Sequence, residues 1–109
     1  MPMNPNVIYS ITQVSTNVTA QPGDTLLVTT GTNDIVVELP EAYTSGPTSV
    51  IVRKIDAAGT GTVTIKTSDG AEINGVAGTT GLVLAASAVS GAHLVLDTDV
   101  TPNAWWQIA

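Results

Sequence analysis

The sequence predicts an all-β domain: a compact β-sandwich or jelly-roll-like barrel of about eight short strands, preceded by an extended N-terminal arm. Three observations carry this. Thr and Val are abundant, and their branched side chains suit a pleated sheet better than a helix. Short apolar runs recur at roughly ten-residue spacing, bounded by Gly, Pro, Asn and Asp. The 109 residues contain no Phe, so Val, Ile, Leu and Ala must fill one modest core, with Tyr9, Tyr43, Trp105 and Trp106 as the aromatics.

The elements follow in order. Residues 1–6, "MPMNPN", form the arm, and residues 7–109 form a single β domain. "VIYSITQV" (Val7 to Val14) reads as a strand, and Pro22-Gly23-Asp24 as a turn. "TLLVTT" and "IVVELP" are strands joined by the hairpin-like "GTND", and Pro40 ends the second. After the loop "EAYTSGPT" comes "SVIVRKI", a turn "DAAGTGT" and a hairpin partner "VTIKTS". "SDG" suits a tight turn, "AEING" a strand stub and "GVAGTTG" a loop. "LVLAASAV" is a strand or a short helix, and "HLVLD" and "AWWQIA" are strands.

The segment from Val50 to Gly75 holds every Lys and Arg: Arg53, Lys54 and Lys66. Strand alternation puts Val50, Val52 and Lys54 on one face and Ile51, Arg53 and Ile55 on the other. Val63, Ile65 and Thr67 likewise oppose Thr62, Thr64 and Lys66. The cations are expected on polar faces or rims, with Lys54 and Lys66 solvated beside Glu72 or Asp56. The sharper reading makes Arg53 and Lys54 contacts with a neighbouring subunit. The first of these strands is apolar on both faces, which marks it as central or covered by a second chain.

Composition excludes several classes. A net charge of −6 with three cations argues against nucleic acid and against anionic membrane surfaces. Without Cys there is no disulfide and no zinc–thiolate site. The N-terminus has neither a basic region nor an apolar core, so it does not read as a signal peptide. Residues 73–96 carry no charged side chain, yet Asn74, Ser87, Ser90, His93 and several Gly make them a loop and two strands rather than a membrane helix.

Candidate sites are few. Trp105 and Trp106 are neighbours on a strand and face opposite ways; one caps the core and the other meets a partner chain or stacks on a sugar. Asp97 and Asp99 share a face but lack a full calcium ligand set, so no metal is expected. His93 reads as a strand-end or interface residue. No "GxSxG" elbow accompanies the serines, and Asp69 and Glu72 lack the setting of an acid/base pair. No enzymatic activity and no cofactor is expected. The interface candidates are Arg53, Lys54, His93, Trp105 and Trp106.

From Thr25 to Ala109 the order "IVVELP", "SVIVRKIDAAGTGTVTIKTSDGAEING", "GLVLAA", "HLVLD", "AWWQIA" resembles a small β module of bacteriophage virion proteins. Such modules have a strand ending in Leu-Pro, a basic hairpin closing on a glycine turn, and a terminal Trp-containing strand. They occur in tail fibres, head fibres and capsid decoration (cement) proteins, often as homotrimers. The adjacent Trp105 and Trp106 depart from the usual single Trp, and nothing before Thr25 is covered. The resemblance implies a structural protein on the virion's capsid surface, assembled in the host cytoplasm. Its partners would be its own copies and the major capsid protein. Brevity and the lack of a coiled-coil shaft favour a decoration protein. The arm residues Met1, Pro2, Met3, Asn4, Pro5 and Asn6 are then the expected capsid anchor. The alternative is a receptor- or glycan-binding module of a tail or head fibre.

Overall fold

The computed structural model describes residues 10–41, 48–97 and 104–109. The expected arm, with Met1 to Asn6, lies outside them, as do Tyr9, Tyr43 and Asp99. The fold is all-β, and the described residues contain no helix. Among the described residues ten strands form: β1 (Ser10–Val14), β2 (Val18–Thr19), β3 (Asp24–Val28), β4 (Ile35–Leu39) and β5 (Ser49–Lys54), then β6 (Val63–Thr67), β7 (Glu72–Ile73), β8 (Leu82–Leu84), β9 (Ser90–Asp97) and β10 (Ala104–Gln107). The ambiguous "LVLAASAV" thus begins as a strand and turns at Ala86 and Ser87.

The strands divide between a six-stranded sheet, ordered β1-β3-β5-β9-β10-β7, and a four-stranded sheet, ordered β2-β4-β6-β8. From β1 to β6 the chain changes sheet at every connection. Two such crossings return it to the first sheet in its original direction. β1, β3 and β5 therefore pair in parallel, as do β2, β4 and β6. β8, β9 and β10 add antiparallel neighbours.

This corrects the two expected hairpins. "TLLVTT" and "IVVELP" lie in different sheets, and so do "SVIVRKI" and "VTIKTS". Their connections are arches rather than tight turns. A hairpin closes on two to five residues, while residues 55–62 make an eight-residue span between layers.

The arches stack on one another. Thr60 N–H donates to the Gly31 carbonyl at 2.8 Å, and Ser87 N–H donates to the Gly59 carbonyl at 2.8 Å. Asp34 Oδ1 accepts from the Thr62 N–H at 2.9 Å. The packing leaves no room at Gly61, where an added Cβ would overlap the Asn33 carbonyl. Gly31 instead serves by conformation, at φ +59° with open space around it.

The core lies between the sheets. Leu26, Val28, Val50, Val52, Leu94, Leu96 and Trp105 enter it from one sheet, and Ile35, Val37, Leu39, Val63, Ile65 and Leu84 from the other. The alternation read from sequence holds in both central strands. Val50, Val52, Val63 and Ile65 are fully buried and Thr67 nearly so, while Arg53 is exposed. β5 is central, flanked by β3 and β9.

Candidate functional site on the outer face of the six-stranded sheet

Lys54 obeys the pleat rather than its charge. It follows Val50 and Val52 into the interior and is 0% exposed. This corrects the solvated-surface reading. Its ammonium has three protons to place, and burial is tolerable only if each finds an acceptor. Nζ donates to the carbonyls of Asp56, of Gly59 at 3.3 Å and of Ala88 at 3.1 Å. Asp56 Oδ1 supplies the countercharge at 3.3 Å. The same carboxylate accepts the N–H groups of Thr30 and Gly31, both at 2.9 Å. The Gly31 N–H is the largest influence holding the Asp56 carboxyl below its ordinary pKa, and the Lys54 ammonium and the Thr30 N–H add to it against partial burial. This knot ties three arches together. Its side chain enclosed, Lys54 presents no charge to a partner.

Trp105 is also buried, at 0% exposure, among Ile73, Leu94 and Leu96. It is the core-capping member of the pair. Its indole Nε1 has no hydrogen-bond partner among the described residues. Trp106 faces outward and is 43% exposed.

Three of the five interface candidates remain at the surface: Arg53, His93 and Trp106. Strand register brings them to one face. In-register neighbours share a side of a sheet, so one outer row reads Ile11, Thr25, Ile51, His93 across β1, β3, β5 and β9. Ile108 joins it, donating its N–H to the His93 carbonyl at 2.9 Å. The next row reads Gln13, Leu27, Arg53, Gly91. On the other side Ser49, Val95 and Trp106 align, followed by Asp97, Ala104 and Glu72.

This surface interleaves apolar residues with polar ones. Ile11 and Ile108 are more than half exposed, and Leu27, Ile51 and Val95 are partly covered. A shallow cleft of about 220 Å³ crosses it, with Ile51, Arg53, Gly91, His93 and Ala109 in its walls. Gly91 shapes the cleft, because a Cβ there would stand 3.3 Å from Arg53 Cγ. The absent side chain lets the arginine stem lie across β9.

Arg53 is the one side-chain cation on this face. Lys66 sits on the opposite sheet, in register with Glu38 rather than beside Glu72 or Asp56. Among the described residues no group of three His, Asp or Glu is placed to hold a metal ion, and no helix is long and apolar enough to cross a membrane.

Sequence reasoning named Asp56 as a partner of Lys54 but placed the pair in solvent, and it missed Gly91. The glycine shows itself only once β9 lies beside β5. Comparison with protein-family models, curated proteins and solved structures gives no match to this chain.

Proposed function

We propose that this chain is a non-enzymatic structural protein of a bacteriophage virion: a decoration (cement) protein that assembles as a homotrimer on the outer capsid surface. The observation that carries the reading is the outer face of the six-stranded sheet. It exposes Ile11, Trp106 and Ile108 around a single arginine, in a chain of net charge −6. A monomer gains nothing by keeping so much apolar sheet in water, whereas an assembling subunit covers it. The resemblance of residues 25–109 to virion β modules supplies the setting. We read the two sheets as a sandwich rather than a jelly roll, because strands β1 to β6 pair in parallel within each sheet.

In this reading the arm, residues 1–6, grips the major capsid protein. Three arms per trimer multiply a weak contact through effective concentration. Binding that favours the assembled shell stabilises it by mass action. Sedimentation of purified protein with virions tests this. The full chain should pellet with particles, and a chain lacking residues 1–6 should stay in the supernatant. Failure of the full chain to pellet overturns the decoration reading; unchanged occupancy without the arm overturns the anchor alone.

The exposed Trp106 favours one alternative, a receptor- or glycan-binding module of a fibre. It predicts oligosaccharide binding that Trp106→Ala abolishes on a glycan array.

A further inference from the structure

We infer that the outer face of the six-stranded sheet is the surface on which another copy of this chain docks, with Arg53 of one copy set against Glu72 of the next. The inference rests on the self-assembly part of the reading above and names the surface responsible for it.

Charge selects the occupant. The chain has three basic side chains, and two are committed elsewhere. Lys54 is sealed in the arch knot, and Lys66 faces away on the other sheet. Arg53 stands alone among Ile51, Leu27 and Gly91, exposed, on a face where no acid is its in-register neighbour. A surface that covers it must bring a carboxylate, or the guanidinium loses water without compensation. The same face carries that carboxylate at its far corner. Glu72 is exposed on the edge strand β7, in a row with Ala104 and Asp97. The face therefore holds both halves of an ion pair, too far apart in the sheet to meet within one molecule. Two copies can join them.

The apolar residues between these corners supply the remaining area. Five strands at about 4.8 Å spacing and four rows at about 6.7 Å cover roughly 640 Å² in projection, and protruding side chains raise this toward the ~800 Å² per partner of a stable interface. Trp106 and Ile108 sit inside the charged corners, where a desolvated aromatic contributes most. The negative net charge disfavours polyanionic partners for the same surface.

The test is a charge swap read by sedimentation velocity and native mass spectrometry over a concentration series. Arg53→Glu and Glu72→Arg should each weaken assembly at least tenfold, and the double variant should restore it. Both side chains are exposed, and circular dichroism checks that the fold is retained. Trp106→Ala, which involves no charge, should weaken assembly independently. A wild-type chain that stays monomeric overturns the inference. So do single variants that assemble normally, or a double variant that fails to recover. Virion binding is scored separately. Assembly through another face, with binding to particles intact, removes this inference and leaves the decoration reading standing. Assembly as described, without particle binding, does the reverse.

Discussion

The Lys54 ammonium lies 3.3 Å from Asp56 Oδ1, two residues along the chain, and completes its coordination 34 residues away at the Ala88 carbonyl. One buried cation thus fastens three arches that share no covalent neighbourhood. The relationship is structural: the ion pair holds the end of the sheet stack against which β5 and β9 are aligned.

Lys54→Met keeps the apolar stem and deletes the charge. It leaves three carbonyls and a carboxylate without their donor. The expected cost is about 2–4 kcal/mol, measured as a lower urea midpoint. Combining it with Asp56→Ala should cost less than the sum of the single changes, because the two residues act as a unit.

The pH dependence has a definite sign. The carboxyl of Asp56 has a lowered pKa in the fold, so it stabilises above the unfolded value of about 3.9. That contribution disappears as pH falls below about 4 and through the folded pKa. Thermal melts should therefore drop between neutral pH and about pH 3, and Asp56→Asn should flatten that part of the profile. An equal slope in the variant would assign the acid sensitivity to other carboxylates.

Two glycines of the stacked arches should respond differently to alanine. Gly31→Ala meets open space and bears only the φ +59° penalty, about 1 kcal/mol. Gly61→Ala drives a methyl into the Asn33 carbonyl and should cost about 2–3 kcal/mol. Calorimetry on the pair ranks them.

The adjacent tryptophans should separate cleanly. Trp105→Ala empties a fully buried site and should lose about 3–5 kcal/mol. Trp106→Ala should change subunit stability by less than about 1 kcal/mol while weakening assembly. In a Trp106→Phe protein, emission from Trp105 alone should be blue-shifted and shielded from iodide.

The faces of β5 and β6 were legible from alternation alone, because a period of two is a local property of the pleat. Lys54 was misjudged for an instructive reason. Its position in the Val50–Val52 series pointed inward, and the general cost of burying an ammonium outweighed that pattern. The acceptors that reverse the balance come from Gly59 and Ala88, which only the assembled arches bring near. Sheet membership was equally hidden. A glycine-rich connection such as residues 56–62 serves a hairpin or an arch, and the choice is made by partners elsewhere in the chain. The outer surface was half visible: Arg53, His93 and Trp106 could be named, but only the register shows that they share one face.

The alternation between sheets also sets how the molecule opens. Three of the four sheet edges are short: β2 and β7 have two residues each and β8 has three. Among the described residues β1, with five, is the longest edge strand, and β3 is its neighbour in the sheet. Amide protons there should exchange with solvent first, and protection should climb through β3 to the β5–β9 pair. The subunit is then graded, frayed at one border and slow to exchange at its centre. Contact with a neighbour across Ile11 would reveal itself as slowed deuterium uptake at that border before any change in the core.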